Sequence, residues 1–200
     1  MEQIIFATSN QGKVREIKAI LADTNVEVLS LKDADIHADI DENGATFEEN
    51  ALIKARAIAA LTGKLTLADD SGLEIDYLNK EPGIYSARYM GEDTSYDIKN
   101  ANLIGRLEGV PDEQRTARFV CAVAAALPDG TEHVVRATME GRVAYEVAGN
   151  GGFGYDPLFY LPEWGCTSAE LTAEQKNEIS HRGKALREMR DLLLKTGVIK

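Results

Sequence analysis

Short apolar runs bounded by glycine or polar clusters alternate along this chain with apolar residues at helical spacing. Gln3 to Thr8 reads as a strand, Ser9-Asn10-Gln11-Gly12-Lys13 as a loop, and Val14, Ile17, Ile20 and Leu21 as one stripe of a helix. Val26 to Leu31 predicts a second strand, and the acidic segment from Lys32 to Ala45 a loop. Thr46-Phe47-Glu48-Glu49 has the form of a capping box, opening a helix to about Thr62 with Ala51, Leu52, Ala55, Ile58 and Ala59 inward and Gly63 as its stop. Leu65 to Ala68 is too short for a helix and reads as a buried strand that turns at Asp69-Asp70-Ser71-Gly72; Leu73, Ile75 and Tyr77 then alternate as a further strand. Ser95 caps a helix carrying Ile98, Ala101, Ile104 and Leu107, ended by Gly109 and Pro111.

The second half changes character. Thr116 to Leu127 predicts a long strand turned by Pro128-Asp129-Gly130 into a partner from about Thr131 to Thr138, with another from about Glu140 to Ala144. Ribbons of that length imply antiparallel pairing beside the strand-loop-helix opening, hence an α/β fold with a mixed sheet. Thr172-Ala173-Glu174-Gln175 is a second capping box, starting a short helix that carries Lys176. Ser180-His181-Arg182 opens the last helix, with Ala185, Leu186, Met189, Leu192 and Leu193 as its packed stripe and Gly197 at its end.

Candidate chemistry gathers at the element ends. In α/β sheets ligands sit beyond the carboxyl ends of strands, where Asp69 and Asp70 are expected to emerge. Two carboxylates there suit Mg²⁺, which takes one or two protein oxygens and keeps its waters and substrate phosphate; the same residues also make an ordinary solvated turn. The Ser9 to Lys13 loop points backbone N–H groups and a lysine at an anion, or is a plain turn capped by Ser9 or Asn10. No Walker A pattern occurs. Glu42 lies ahead of the second helix and Lys54 two turns into it, although acids near a helix start are favoured by the dipole alone. Ile84-Tyr85-Ser86-Ala87-Arg88-Tyr89 is rich in groups that bond phosphate or ribose, and reads also as a strand edge with two packed tyrosines. Gly149-Asn150-Gly151-Gly152-Phe153-Gly154 matches the dinucleotide-binding spacing, but Tyr155-Asp156-Pro157 and a strand follow where that motif needs a helix. A glycine loop remains, with Phe153 able to stack on a base. His181 and Arg182 at a helix N-terminus run against the dipole, which makes sense if they face an electron-rich ligand.

The 200 residues fit one domain, 1–200, and 44% apolar with 28% charged residues describes a globular protein. A net charge of -11 argues against an extended grip on nucleic acid. The start, Met1 to Phe6, is too short and too acidic for a signal peptide or membrane span, so a cytoplasmic location is the default. Cys121 and Cys166 lack metal spacing and read as free thiols.

In this order, Thr8-Ser9-Asn10-Gln11-Gly12-Lys13, Thr46 to Ala51, Ala68 to Leu73, Pro82 to Tyr89, Gly152 to Pro157 and Ser180-His181-Arg182 together resemble the inosine triphosphate pyrophosphatase family, from Ile5 to about Leu193. The resemblance implies an elongated, strongly twisted mixed sheet with helices in two lobes, a site in the cleft between them, and a homodimer. It also implies Mg²⁺-dependent hydrolysis of ITP, dITP and XTP to the nucleoside monophosphate and pyrophosphate, clearing them before incorporation into DNA and RNA. Thr8, Ser9, Asn10, Gln11, Gly12 and Lys13 would hold phosphate, with Lys54, Ser71, Ser86 and Arg88 as further substrate contacts. Glu42 and Asp70 would hold the metal, and Phe153, Gly154, Tyr155, Asp156, Lys176, His181 and Arg182 the base and sugar. Asp70 is also the family's proton acceptor. Because a metal-bound carboxylate is a weak base, one of Asp69 and Asp70 is expected to hold metal while the other orients water. One triphosphate must span the Ser9 to Lys13 mouth and Asp70, so the two are expected within about a dozen ångströms.

Three other readings are weighed. A pyrophosphatase for pyrimidine or modified nucleotides is disfavoured by the Gly152 to Pro157 loop and Ser180-His181-Arg182. A nucleotide sensor without turnover has no use for Asp69, Asp70 and Glu42 together. A dehalogenase-type phosphatase needs D-x-D, and here the aspartates are adjacent.

Overall fold

A computed structural model describes residues 2–200. Its secondary structure is mixed α/β. The strands are β1 (Glu2–Phe6), β2 (Val26–Ser30), β3 (Thr66–Ile75), β4 (Thr116–Ala126), β5 (Glu132–Val143), β6 (Phe159–Leu161) and β7 (Cys166–Thr167). The helices are α1 (Gln11–Ile20), α2 (Phe47–Thr62), α3 (Tyr96–Arg106), α4 (Ala173–Ile179) and α5 (His181–Lys195). Strand order is β2-β1-β3-β4-β5-β6-β7; β1 pairs in parallel with β2 and β3, while β5–β6 and β6–β7 are antiparallel, so the sheet is mixed as expected.

The chain folds into two compact units. Among the described residues, the first holds 2–70, 121–137 and 182–200. Its core joins Ile4 and Phe6 of β1, Ile17 and Leu21 from α1 and the residue after it, Leu65 and Leu67, and Leu186, Met189 and Leu193 of α5. Ala51, Ala55 and Ile58 of α2 are buried separately from that cluster. The second unit, residues 71–120 and 138–181, packs Leu73, Ile75, Leu103, Leu107, Phe119, Met139, Leu158 and Phe159 together.

Helix starts obey their local signals. Asn10 caps α1, its side chain accepting from the Gly12 and Lys13 N–H groups; Thr46 caps α2, Ser95 caps α3, and Thr172 with Gln175 closes a capping box on α4. At α2 the box is altered, because Glu49 accepts from Ala45 N–H (2.6 Å) rather than from Thr46 N–H. Gly63 ends α2 at φ +65°, a left-handed conformation that glycine adopts without penalty.

Four expectations are corrected. β3 does not stop at Ala68: it runs through Asp69 and Asp70 to Ile75. What ends there is its neighbour, since β1–β3 pairing stops at Phe6↔Leu67 with Ala7 N–H on Leu67 O (2.8 Å). Tyr77 lies past β3 in a 3-10 turn and is half exposed. On α3 Lys99, Asn100 and Leu103 are buried and Ile98 faces solvent, so the start of the expected stripe is turned outward, while Ile104 and Leu107 at its end pack on the core. Glu132 to Val143 is one strand: a Cβ at Gly141 would come within 2.5 Å of Tyr160 O and 2.7 Å of the Phe159 ring, so this glycine admits β6 and does not break β5.

Candidate active site

In the first unit, β3 sorts its two aspartates by the strand's alternation. Asp69 shares parity with Leu65 and Leu67, which face α1 and α5, and it meets one cation from each helix: Lys13 Nζ at 2.8 Å and Arg182 Nε at 3.4 Å, both on Oδ2. Its side chain is 2% exposed. Burial pushes its pKa up, but Lys13, then Arg182 and Lys54, outweigh that and hold the carboxyl well below the usual carboxylate range. Asp69 is therefore a permanent anion at a junction of cations. The Ser9 to Lys13 mouth and the aspartate pair are brought together at hydrogen-bond distance through Lys13.

Asp70, one residue on, projects to the opposite side and is placed differently. Its neighbours are Asn50 and Lys54 of α2 and Glu42 from the loop before it. Asn50 is 1% exposed and anchored by accepting from Gly44 N–H (2.8 Å), with its side chain also bonded to Asp70. Asp70 Oδ2 is buried and has no hydrogen-bond partner. Burial raises the Asp70 pKa most, Lys54 and Asn50 counter it, Glu42 and Asp69 add to it, and the carboxyl is pushed up to about 6. Lys54 Nζ donates to Asp69 O (2.6 Å) and pairs with Glu42 Oε2 (3.1 Å). Burial lowers the Lys54 pKa, but Asp69, Glu42 and Asp70 together hold it above its ordinary range, so it stays charged.

The donor set can be tested against Mg²⁺. Among the described residues no trio of His, Cys, Asp and Glu is gathered as a metal cage. Mg²⁺ does not require one, since one or two carboxylates with water and substrate phosphate suffice. A buried carboxylate oxygen lacking a donor, electrostatically coupled to a second carboxylate, is the environment a hard cation relieves. Asp70 and Glu42 fit it.

The N-terminus of α1 is partly spoken for: Asn10 Oδ1 accepts from Gly12 N–H (2.9 Å) and Lys13 N–H (3.2 Å), while Thr8 Oγ1 accepts from Asn10 N–H (3.1 Å). Ser9 and Gln11 are exposed beside it. Arg182, 8% exposed, reaches Asp69 and lies 3.8 Å from Glu16 Oε2.

The second unit holds the other group. The glycine loop is fixed along its length: Gly151 N–H bonds Ala169 O (2.9 Å), Phe153 N–H bonds Asp156 Oδ2 (2.9 Å) and Asn100 Nδ2 bonds Gly154 O (3.2 Å). Asp156, 2% exposed, also accepts from Ser168 and Lys176, so its carboxylate is engaged inside the loop. Gly152 sits at φ +66° where a Cβ would collide with Asp156 Oδ2. The result is a stiff turn presenting the Phe153 ring, 60% exposed, with Lys176 Nζ 4.9 Å from its centroid. Tyr155 is buried and its hydroxyl donates to Ser86 O (2.5 Å). The Ser86 hydroxyl accepts from Leu73 N–H (2.8 Å) and donates to Gly83 O (2.6 Å), while Arg88 is exposed over the Tyr85 ring. His181 is 7% exposed and stacks on Phe119 at 5.0 Å. Ser71 follows Asp70 within β3.

The order of these motifs has a counterpart in known proteins: a model of the Ham1 family matches residues 4–192. The chain belongs to the Ham1 family. As a Ham1 protein it is 54% identical over 187 residues to a dITP/XTP pyrophosphatase of Geobacillus kaustophilus, covering 93% of this chain and 91% of that one. It is 48% identical over 191 residues to a dITP/XTP pyrophosphatase of Desulforamulus reducens, covering 96% and 95%. The solved structure of the Staphylococcus aureus Ham1 protein is similar at a TM-score of 0.90 and 40% identity, covering 98% and 100%. The family resemblance carried by the motifs is thereby upheld.

For this Ham1 chain, the sequence assigns no role to Asn50 and Glu16. Asn50 carried a legible signal, a polar residue immediately before the inward Ala51. Glu16 carried none, since a glutamate three residues after Lys13 on a helix is ordinary.

Proposed function

We propose that this protein hydrolyses dITP, XTP and ITP between the α- and β-phosphates, releasing the nucleoside monophosphate and pyrophosphate and so clearing these nucleotides from the pool. The observation that carries the reading is the contrast between two adjacent aspartates: one saturated by Lys13 and Arg182, the other holding a buried oxygen with no donor beside Lys54 and Glu42. Phosphoryl displacement needs positioning and charge neutralisation more than covalent chemistry. Lys13 and Lys54 supply fixed positive charge for the phosphates, and Asp69 holds both in place, Lys13 through its carboxylate and Lys54 through its carbonyl. Asp70 and Glu42 would hold Mg²⁺, which supplies charge neutralisation and a more acidic water. The full-length likeness to proteins named dITP/XTP pyrophosphatase supports the substrate class.

Phe153 provides the stacking face for the base, and Lys176 beside it adds a donor for a keto oxygen at purine position 6. Adenine offers an amino group there, a donor set against the Lys176 ammonium, and that mismatch disfavours it. Asp156 keeps the Phe153 turn in shape through the bonds described above. No helix among the described residues is long and apolar enough to cross a membrane. A cytoplasmic location and a homodimer are kept as what the family resemblance implies.

The test is a rate panel on dITP, XTP, ITP, GTP and ATP, with Mg²⁺ and with a chelator. Fast turnover of the first three, little of ATP, and loss of all turnover in chelator are expected. Equal rates across the panel, or turnover unchanged by chelator, would overturn the reading.

A further inference from the structure

Within the second unit, three residues on the first turns of α3 grip two separate segments. Lys99, 0% exposed, donates from Nζ to Ala87 O (2.8 Å) and lies 4.7 Å from the centre of the Tyr96 ring. Asn100, 2% exposed, donates to Gly154 O (3.2 Å). Tyr96 meets Tyr155 edge-on, with centroids 5.1 Å apart, and its ring lies 3.5 Å from where a Cβ on Gly154 would stand. The two gripped segments are themselves tied by Tyr155 and Ser86 O.

These contacts are costly as stability devices. Lys99 is a buried cation whose partners are a carbonyl and a ring, with no carboxylate among them. Asn100 keeps Oδ1 buried with no hydrogen-bond partner, which an apolar residue of the same shape would avoid. A chain selected only for packing would carry methionine and leucine here. What the polar pair does instead is fix two backbone carbonyls, Ala87 O and Gly154 O, and Gly154 adjoins the Phe153 platform.

We propose that Asn100 and Lys99 are positioning residues for nucleobase recognition, holding the Phe153–Gly154 turn and the Ser86–Ala87 segment in the register that a purine requires. The inference rests on the functional reading above and extends it to residues to which the sequence assigns no role. Neither residue bonds the Ser9 to Lys13 mouth or the aspartate pair, so their effect is expected at the base end.

The test uses Asn100→Leu, nearly isosteric and free of the orphaned acceptor, with Lys99→Met as the second variant. Steady-state kinetics with dITP are paired with inhibition by inorganic tripolyphosphate, which reports the phosphate end without a base. Losing one positioning hydrogen bond is expected to raise KM for dITP about tenfold with kcat changed less than about threefold. The tripolyphosphate inhibition constant and the melting temperature of Asn100→Leu are expected to match wild type. If Asn100→Leu keeps the wild-type KM, or if KM and the tripolyphosphate constant rise in parallel, the inference is overturned. If Asn100→Leu melts early, Lys99→Met decides by the same two constants. A wild-type protein that does not cleave dITP overturns the functional reading and this inference with it, whereas normal wild-type cleavage with an unchanged variant overturns this inference alone.

Discussion

Asp70→Asn is expected to lower kcat/KM for dITP by about 10³-fold, within the range for loss of a carboxylate that handles a proton or a metal, while leaving the protein at least as stable as wild type. The two halves of that outcome share one cause. Asp70 Oδ2 is buried without a donor, and its carboxyl is raised from the ordinary 3.8 to about 6. The folded state thus binds the proton more tightly than the unfolded chain. Stability from this group is fully present below pH 3.8 and is lost as pH rises through about 6, a loss of about 3 kcal/mol for a shift of this size. Asparagine carries no charge to desolvate, so in metal-free buffer the wild-type protein should lose stability relative to Asp70→Asn between pH 4 and pH 7. Added Mg²⁺ should abolish that difference for wild type. Denaturant melts at several pH values, with and without Mg²⁺, check it; a variant less stable than wild type at pH 7 would show that Asp70 is satisfied by the fold.

Asp69→Asn is expected to fail in the opposite manner, losing stability as well as turnover. Asp69 Oδ2 neutralises Lys13 and Arg182, whose side chains are 20% and 10% exposed. Removing one member of a buried charge cluster leaves the others uncompensated and costs about 3–5 kcal/mol. The pH dependence also reverses. The Asp69 carboxyl lies below its ordinary value, so its contribution is present above pH 3.8 and is lost as pH falls, and the wild-type advantage over Asp69→Asn should shrink in acid. This bears on the expected division of labour between the pair: Asp69 is engaged as the anchor of two cations, so of the two aspartates Asp70 is the one left for the proposed metal. Urea titration and dITP kinetics of the variant measure both effects; near-normal turnover with normal stability would remove the anchor role.

Much of the fold was legible because its signals are local. Asn10, Thr46, Ser95 and Thr172 announce their helices within four residues and each caps its helix, the box at Thr46 alone closing on Ala45 N–H instead. The errors arose where a distant segment decides. Whether Asp69-Asp70-Ser71-Gly72 turns depends on where its neighbour strand ends, and the neighbour ends while β3 continues. The expected break between Thr138 and Glu140 is absent, and Gly141 inside the continuous strand makes room for β6 lying against it. The burial of Lys99 and Asn100 at the start of α3 was not legible because their partners, Ala87 O and Gly154 O, lie outside the helix.

The candidate site follows the same rule. Residue types and their order pointed to Lys13, Glu42, Lys54, Asp69 and Asp70, and the structure gathers them in one unit. Which aspartate is saturated and which is bare was not legible, because strand alternation fixes it only once α1 and α5 are known to pack on one face and α2 to lie beside Asp70. Glu16 and Asn100 stayed hidden for the same reason, their partners being set by packing.

The most direct test is to follow dITP cleavage in Mg²⁺ by ³¹P NMR and identify the phosphorus products. The arrangement around Asp70 predicts equal amounts of pyrophosphate and the monophosphate from the first turnover, with no orthophosphate and no diphosphate intermediate. Orthophosphate with dIDP would mean that the outer bond is cut, and would contradict the account.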